Sequence, residues 1–414
     1  MGVTRPALGE PARSTRGSFS ALSSRNYRLL LTGVIISSVG TWMQTASQAW
    51  LIHQLTGRAT DLGVLGLARA VPLIVLSLVG GTLADRLDKR RLLYVTQTLA
   101  AAFAIIQGLL AQAGVLEVWH IWVLGFLSAT VLAFDQPTRQ AMLPALVPRE
   151  DFMSAITLNA LTFNGAAVLG PAIAGLVVPV AGYAWTFYLN GISFAAVIVA
   201  LVLMRLPAPP PRPREAGVLR GVADGLRYIW RNPTVRALTV MAAAFGLFGS
   251  PYVLMLPVYR PLLDLDERAL GLLSSAPGLG AVLGGLVLAR FAHVRWKGRL
   301  LVGSVGLFVI TLITFATSRS YGVSLAVLVA VGASLTAFTT TTQTLLQRAT
   351  DDRMRGRVVS MFTTTIIGFQ PLGALDLGWA IDQVGAPAAL SAAALVVGAV
   401  ALALTPRLRR QPDW

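Results

Sequence analysis

The chain contains no cysteine and only three histidines in 414 residues. Without cysteine there is no disulfide framework, no thiolate nucleophile and no cysteine-based metal site. The sequence also has no H-E-x-x-H motif and no P-loop, so it predicts neither a zinc-dependent hydrolase nor an ATP-driven pump. We therefore expect no metal and no cofactor.

Charge is also sparse, because charged residues make up only 13% of the chain whereas hydrophobic residues make up 55%. The mean hydropathy is +0.68. Twelve continuous apolar stretches can be distinguished, each about as long as the roughly 20 residues that a helix needs to cross the hydrocarbon core. Continuous rather than alternating apolar runs argue against an outer-membrane barrel. The stretches begin near Arg28, Leu62, Leu92, Val118, Ala155, Ala184, Arg236, Leu270, Leu300, Val323, Ser360 and Ala388.

The positive charges alternate along the chain. If the N-terminus lies in the cytoplasm, the 34 Lys and Arg residues all fall on that side except Arg58, Arg260, Arg268 and Arg319 on the other side and Arg69 inside a span. This bias orients the chain by the positive-inside rule, with both termini cytoplasmic. Because the charge forms no single basic face, no nucleic-acid partner is expected. With its Arg-rich, Lys-poor composition, the sequence predicts a multi-pass protein of the bacterial cytoplasmic (inner) membrane.

The apolar stretches form two groups of six. The predicted units are a disordered cytoplasmic tail over 1–27, a six-helix bundle over 28–205, a Pro-rich linker with an amphipathic surface helix over 206–235, a second bundle over 236–405 and a tail over 406–414. The groups repeat weakly, since Leu62-Gly63 corresponds to Leu270-Gly271 and Pro171 to Pro371. Two copies of a six-helix unit are typical of a transporter whose site lies at their interface.

The connection between the second and third spans, residues 80–91, reads Gly-Gly-Thr-Leu-Ala-Asp-Arg-Leu-Asp-Lys-Arg-Arg. Glycines permit close helix approach, and a carboxylate at a helix end can cap a neighbouring helix. The segment resembles the signature loop of the major facilitator superfamily, G-x-x-x-D-R-x-G-R-R, with Asp88 in place of the second glycine. The matching residues are Gly81, Asp85, Arg86, Lys89, Arg90 and Arg91.

The resemblance implies an all-α membrane protein of twelve transmembrane helices in two pseudo-symmetric six-helix bundles. It also implies a cytoplasmic gate. In the family the aspartate that Asp85 matches locks the two halves together against the start of the eleventh span. A basic loop residue pairs with an acid at the cytoplasmic end of the fourth span, and Asp135 matches that acid. The departure at Asp88 leaves the tightness of the turn open.

Two further segments narrow the resemblance. Residues 135–141, Asp-Gln-Pro-Thr-Arg-Gln-Ala, follow the fourth span, and Arg355-Gly356-Arg357-Val358 precedes the eleventh. Both are similar to the branch that includes the enterobactin exporter and macrolide-efflux-like proteins, and Arg139 joins Asp135 in the predicted gate. Ordinary helix-end chemistry is the alternative, since Pro stops a helix and Arg faces the cytoplasm.

The fifth span contains Gly165, Gly170, Pro171 and Gly175. This pattern resembles the Gly-Pro motif that marks antiporters within the superfamily, and it therefore implies export. A plain helix-packing face made of small residues is the alternative. An Arg early in the fourth span, which many drug/proton antiporters carry, is absent from Val118–Phe134.

Two charges lie inside spans, Arg69 in the second and Asp376 in the eleventh. Charges at such depth are costly and are candidates for function. The second and eleventh spans pack together in the superfamily, so we expect an Arg69–Asp376 ion pair that closes the outer side, with protonation of Asp376 coupling proton entry to opening. Alternatively, Arg69 snorkels outward and Asp376 is hydrogen-bonded locally.

Polar and aromatic faces of several spans are candidates for the substrate path. In the first span Thr41, Gln44, Thr45 and Gln48 share one helical face. Few charges and many aromatic side chains suit a bulky, mostly apolar or catechol-like molecule. The candidate substrate-binding residues are Gln44, Gln48, Asn159, Phe245, Phe248, Tyr252, Thr340 and Gln343.

These features predict a secondary transporter that exports bulky hydrophobic small molecules, drug-like compounds or siderophores, in exchange for protons. The expected partners are the substrate, protons and membrane lipids, and the expected functional unit is a monomer. An importer, a facilitator or a lipid flippase of the same fold remains open. An intramembrane hydrolase is a more distant alternative, based on the segment Gly191-Ile192-Ser193, and we expect no enzyme activity.

Overall fold

We describe the protein from a computed structural model, which covers the backbone of residues 19–205, 218–290 and 297–408 and the side chains of the same residues apart from 77–86, 218–224 and 407. Twelve helical segments of this part of the chain are long and apolar enough to cross a membrane. The α-helices are α1 Arg25–Thr56, α2 Ala59–Arg86, α3 Lys89–Gln112, α4 Val118–Leu146, α5 Phe152–Ala181, α6 Tyr183–Leu203, α7 Val218–Arg231, α8 Pro233–Ala244, α9 Glu267–Arg290, α10 Lys297–Thr317, α11 Tyr321–Ala349, α12 Arg355–Val384 and α13 Ala386–Leu408.

Most helices begin a few residues before the apolar stretch that predicts them. The eleventh span, for example, begins at Arg355 rather than near Ser360, and the first begins at Arg25. Basic and polar first turns can extend beyond the hydrocarbon core while the helix still continues into it. Hydropathy therefore gives the membrane-embedded length, and the helix itself is longer.

The two halves pack their helices in the same pattern. In the first half α1 packs against α5 and α6, and α3 packs against α6. In the second half α8 packs against α12 and α13, and α10 packs against α13. These are the same pairs shifted by six spans, so the two pseudo-symmetric six-helix bundles predicted from the sequence are confirmed.

The two ends of the bundle are named here after residues in their connections. Gly57, whose φ of 67° favours glycine, ends α1 at the Gly57 face, where the α1–α2, α3–α4 and α5–α6 connections lie. Asp88 lies at the opposite end, the Asp88 face, between α2 and α3. Its φ of −62° suits any residue, and its carboxylate accepts a hydrogen bond of 2.9 Å from the backbone N–H of Arg91. The turn therefore does not need the family's glycine, and an N-cap aspartate begins α3 instead.

The halves touch through repeat-related glycines near the Gly57 face, where α2 packs on α12 and α5 on α9. A Cβ on Gly63 would lie 2.5 Å from Leu375 Cα, and a Cβ on Gly271 would lie 2.8 Å from the carbonyl oxygen of Pro171 and 2.9 Å from Gly175 Cα. These glycines occupy corresponding positions in the sequence repeat. The absence of side chains lets the backbones meet, so the Gly57 face is closed in this structure.

The seventh span is interrupted. After α8 the chain forms a π-helical turn at Phe245–Gly249 and 3₁₀ turns at Pro251–Val253 and Leu256–Tyr259. Two prolines, Pro251 and Pro257, remove backbone N–H donors that a continuous helix would use. The sequence predicts one continuous helix for this span, so the interruption corrects that prediction.

The predicted tail and linker contain ordered structure. Residues 1–18 lie outside the described part of the chain, but Ser20–Ser23 forms a 3₁₀ turn whose Ser20 hydroxyl donates to Asp151 at 2.5 Å. Residues 19–27, which the sequence predicts to belong to a disordered tail, are therefore ordered. The predicted surface helix is α7, where Ile229 is buried and Trp230 is exposed.

Candidate functional site

A cavity of about 300 Å³ lies within the first six-helix bundle. Its volume is at the lower end of the roughly 300–1,000 Å³ that is usual for small-molecule sites. Every side chain in its described lining comes from α1 to α6. The polar and charged members of the lining are Ser37, Ser38, Thr41, Gln44, Thr45, Gln48, Arg69, Gln97, Ser128, Asp135, Gln136, Arg139 and Asn190.

One end of the cavity holds Arg69 and a chain of amides. The Arg69 guanidinium donates to Gln48 Oε1. Gln48 Nε2 and Gln44 Nε2 both donate to Gln107 Oε1, at 2.7 and 3.0 Å. Asn190 Nδ2 donates to Gln44 Oε1 at 2.5 Å. The four amides are almost fully buried, and their network joins α1, α2, α3 and α6.

The other end holds a buried carboxylate. Asp135 is 2% exposed and accepts hydrogen bonds from Thr96 Oγ1 at 2.9 Å and Gln97 Nε2 at 2.7 Å. Its second oxygen forms an ion pair with Arg139, one turn further along α4. Both oxygens of the carboxylate therefore have partners, and removing its charge would leave Arg139 without its ion pair.

The two ends are separated along α4. Gly125 lies beside Arg69, since a Cβ there would be 3.8 Å from Arg69 Nε. Asp135 follows ten residues later on the same helix, which corresponds to about 15 Å along its axis. The cavity is therefore an elongated slot with a lone guanidinium at one end and a neutralised carboxylate at the other.

Apolar and aromatic side chains line the slot between its ends. Trp42 and Phe163 meet edge to face with ring centroids 5.5 Å apart, and Phe194, Leu73 and Leu132 complete this part of the wall. Aromatic faces offer a large contact area to flat apolar molecules. The slot can thus hold an apolar body between polar ends.

The structure brings part of the predicted site together. Gln44 and Gln48, with Thr41 and Thr45 of the same predicted stripe, all line the slot. Arg69, Asp135 and Arg139 line it as well. The sequence had assigned these three charges to two separate gates, whereas the structure places them along one cavity.

The other predicted substrate residues lie elsewhere. Phe245 is 1% exposed and stacks on Phe338 at 4.1 Å between ring centroids, and Tyr252 is equally buried. Both belong to the core of the second bundle, against which Phe248 also packs. Of the remaining three, Asn159 and Thr340 are exposed and Gln343 is half-buried, and none of the three belongs to the described lining of the slot.

Arg69 and Asp376 both belong to the described part of the chain, and they do not form the predicted ion pair. Arg69 points to Gln48 in the first bundle. Asp376 is exposed on a face of α12 that it shares with the exposed side chains of Leu372 and Trp379. The residue spacing gave comparable depths for the two charges, but it did not give the direction in which each side chain leaves its helix.

The signature-loop residues can be followed only in part, because the side chains of Gly81, Asp85 and Arg86 lie outside those described. Lys89 Nζ donates to the carbonyl oxygen of Ala141 on α4 at 2.9 Å. Arg90 donates to the carbonyl oxygen of Val202 on α6 at 3.2 Å. Arg91 is exposed, and its backbone N–H is capped by Asp88. The described basic residues of the loop thus attach it to the ends of neighbouring helices.

The glycines of the antiporter-like motif have different surroundings. A Cβ on Gly170 would lie 2.5 Å from Trp42 Cβ, and one on Gly175 would lie 2.7 Å from the carbonyl oxygen of Glu267 in the other half. A Cβ on Gly165 would meet nothing within 4 Å. Pro171 is buried beside Gly271. Two of the three glycines are therefore required by helix contacts, one of them between the halves.

A carboxylate outside the set of predicted site residues joins the halves at the Gly57 face. Asp382, at the end of α12, accepts hydrogen bonds from the backbone N–H groups of Ala59 and Thr60 at 2.8 and 2.9 Å and from Thr60 Oγ1 at 2.5 Å. These are the first residues of α2, so the carboxylate caps a helix N-terminus across the interface, where negative charge is favourable.

Replacing Asp382 should weaken closure of the Gly57 face. Loss of an N-cap acceptor costs about 0.5–2 kcal/mol, so we expect Asp382→Ala to raise the exposure of the interface several-fold. Ala374 is 2% exposed. The rate at which an impermeant maleimide labels a cysteine introduced at this position measures the exposure of the interface. Gln383→Ala, at the neighbouring exposed position, is the control. Equal labelling rates in both variants would contradict a latch at Asp382.

The serine of the hydrolase alternative has no catalytic partner among the described side chains. Ser193 Oγ donates to the backbone carbonyl oxygen of Asn190 at 2.7 Å. His120 accepts the backbone N–H of Glu117 at a helix end, and His53 is in the last turn of α1. His293 lies outside the described residues. The hydroxyl is used within its own helix.

Sequence reasoning missed Thr96, Gln97, Gln107 and Asn190, which hold both ends of the slot. A signal was present, since uncharged polar side chains inside apolar spans are costly unless they find partners in another helix. Phe163 and Phe194 carried no such signal, because phenylalanine in a span is usual whether it packs against protein, lipid or a ligand.

Comparison with known proteins gives a consistent picture. The family model for transmembrane secretion effectors matches residues 16–412. The multidrug efflux pump Tap of Mycolicibacterium fortuitum is 27% identical over 394 residues, which cover 92% of this chain and 96% of that protein. The enterobactin exporter EntS of Escherichia coli O1:K1 is 27% identical over 396 residues, which cover 93% of this chain and 92% of that exporter.

Among solved structures, a bacterial homologue of the human lysosomal transporter Spinster, in an inward-facing and unoccupied conformation, superposes with a TM-score of 0.69 at 15% identity, covering 95% of this chain and 96% of the other. At this identity the likeness concerns the fold alone. The fold and the family model thus agree over nearly the whole chain.

Proposed function

This chain belongs to the transmembrane secretion effector family of major facilitator superfamily transporters, and we propose that it exports bulky, mostly apolar small molecules by alternating access in exchange for protons. The substrates after which its relatives are named, drugs for Tap and enterobactin for EntS, favour drug-like compounds or siderophores as the substrate class. The single observation that carries the proposal is the slot in the first bundle, with its aromatic wall and polar ends.

The chemistry of the slot fits export better than catalysis. The aromatic side chains of the wall, Trp42, Phe163 and Phe194, offer contact area but no group that could break a bond. The Ser193 hydroxyl donates its hydrogen bond to a carbonyl oxygen of its own helix. Binding without reaction is what a carrier requires. We propose that the protein is a transporter and not an enzyme, working as a monomer surrounded by lipid.

The alternation of positive charge supports an orientation in which the Asp88 face is cytoplasmic and the Gly57 face is periplasmic, with both termini cytoplasmic. The closed Gly57 face then corresponds to a state that shields the site from the periplasm. The glycine contacts and the Asp382 cap are the parts that must separate when the site opens outward.

Proton exchange needs a carboxylate whose protonation changes the energy of the site. Asp135 is the only carboxylate in the described lining of the slot, and a proton on it would weaken the ion pair with Arg139. Asp376, the sequence-based candidate, lies on an exposed face of α12. We propose that Asp135 couples proton entry to substrate exit, and that Asp376 is the competing candidate.

The test uses inside-out membrane vesicles in which respiration maintains a pH gradient. Lipophilic cations, macrolides and catecholate siderophores are added one at a time, and we expect one class to collapse the gradient. The response should be lost in Asp135→Asn and kept in Asp376→Asn. The reverse result would move the coupling to α12. If no compound acts although the protein is present, the proposal of proton-coupled export fails, and import, facilitated diffusion or lipid transport takes its place.

A further inference from the structure

Arg69 is a cation whose described partner is neutral. It lies seven residues beyond Leu62, where the apolar stretch of this span begins, which places it about 10 Å into a hydrocarbon core of about 30 Å. Its guanidinium donates to an amide oxygen of Gln48, and no described carboxylate forms an ion pair with it. A charge at that depth is a candidate for function and calls for a counter-charge.

The neighbours of Arg69 cannot supply that counter-charge. Each amide oxygen of the network already accepts a hydrogen bond: Gln48 from Arg69, Gln107 from Gln48 and Gln44, and Gln44 from Asn190. What the network has left over is donors. Gln107 Nε2 has no partner, but Gln107 is outside the described lining of the slot. The donors that this end offers to a ligand are therefore the remaining N–H groups of Arg69, since a guanidinium has five. This end of the slot is therefore rich in donors and positively charged.

The net charge of the whole slot is also positive. Asp135 and Arg139 neutralise each other at the opposite end, so the charged side chains of the described lining leave one positive charge, on Arg69. The wall between the ends is mostly apolar and aromatic, with serine and threonine hydroxyls of α1 and α4 among its side chains. A ligand that complements this arrangement carries one oxyanion at one end and a flat apolar body of up to about 15 Å beyond it.

We propose that Arg69 is the recognition point for an anionic group, such as a carboxylate, sulfonate or phenolate, and that the slot selects amphipathic organic anions over neutral or cationic molecules of the same shape. This inference rests on the proposed export function and names its substrate class. A planar guanidinium suits an oxyanion because it can donate two parallel hydrogen bonds to it.

The test compares two probes of the same scaffold. 8-Anilino-1-naphthalenesulfonate carries one sulfonate, and N-phenyl-1-naphthylamine is its neutral counterpart. Binding is measured by equilibrium dialysis with the full chain in lipid nanodiscs against empty nanodiscs. We expect the wild-type protein to prefer the sulfonate, and Arg69→Gln to lower the sulfonate affinity at least tenfold while the neutral probe changes less than twofold. Arg69→Lys should restore part of the affinity.

A second variant tests the same proposal even if Arg69→Gln does not fold. Gln107→Glu keeps the shape and the acceptor oxygen but adds a fixed negative charge next to Gln48, so it should compete with the ligand's anion and lower sulfonate affinity about tenfold, again sparing the neutral probe. Equal losses for both probes in both variants, or a wild-type protein that binds the neutral probe as tightly, would overturn the proposal.

Failure of this inference can be told apart from failure of export. If a cationic or neutral compound collapses the vesicle pH gradient equally in wild type and Arg69→Gln, export stands and anion recognition is refuted. If sulfonate binding depends on Arg69 while no anion, cation or neutral compound collapses the gradient, the site stands and proton-coupled export is refuted.

Discussion

Gly175→Ala is expected to reduce transport at least tenfold, although it adds a single methyl group. The new Cβ would lie 2.7 Å from the carbonyl oxygen of Glu267 and 3.0 Å from Gly271 Cα, both backbone atoms of the opposite half. Backbone cannot move aside as a flexible side chain can, so the halves must separate. Overpacking costs about 1–3 kcal/mol, and a shift of that size changes the ratio of two conformations by about 5- to 150-fold. The population closed at the Gly57 face should fall accordingly.

The same helix supplies a matched control. Gly165→Ala makes the same chemical change within the same antiporter-like motif, but its Cβ meets nothing within 4 Å. It should leave transport unchanged and stabilise α5 slightly, because alanine is a better helix former than glycine. Substrate flux measures transport activity. Maleimide labelling of Ala374→Cys measures closure of the Gly57 face, because the native chain has no cysteine.

The two variants also distinguish the two interpretations of the Gly-Pro motif, a helix-packing face and an antiporter motif. If only Gly175→Ala loses transport and gains labelling, the motif acts through contact between the halves. If both variants lose transport with normal labelling, the pattern has a role that contacts do not explain, as the antiporter interpretation suggests. Unchanged flux and labelling in Gly175→Ala would contradict the requirement for close approach at this position.

The fold could be predicted from the sequence because its signals are collective. A continuous apolar stretch in a membrane must be helical whatever its neighbours are. The orientation is predicted from the positive charges of all the loops together. Even the weak match between Gly63 and Gly271 had a physical cause, since both glycines hold corresponding contacts between the halves. The interruption after Ala244 was missed because Gly246 and Pro251 in a span are compatible with either a continuous or a broken helix.

The site could be predicted only where several residues shared a face. The stripe of Thr41, Gln44, Thr45 and Gln48 is visible because helical spacing fixes which side chains lie together. A single charge such as Arg69 has no such pattern, and its partner depends on how helices are rotated in the bundle. Asp376 was chosen as that partner by its comparable depth and by the packing of the two spans in the superfamily, whereas Gln48 is the partner in the structure.

Removing the charge of Asp135 should lower the free energy of unfolding by about 3 kcal/mol, at the low end of the range for breaking a buried ion pair. In Asp135→Asn the side chain can still accept from Thr96 and Gln97, but Arg139 loses its counter-ion. We expect the low end because Arg139 is 21% exposed and part of its charge reaches water. Unfolding in SDS, followed by circular dichroism, measures the loss.

The double variant Asp135→Asn/Arg139→Gln separates stability from coupling. With both charges removed, neither is left uncompensated, so most of the lost stability should return, as double-mutant cycles detect for residues in contact. Proton-coupled transport should stay absent, because the group that exchanges the proton is gone. Recovery of both stability and coupled transport would show that Asp135 serves the fold alone. If stability does not recover, the pair does not account for the loss, and the hydrogen bonds from Thr96 and Gln97 require the carboxylate itself.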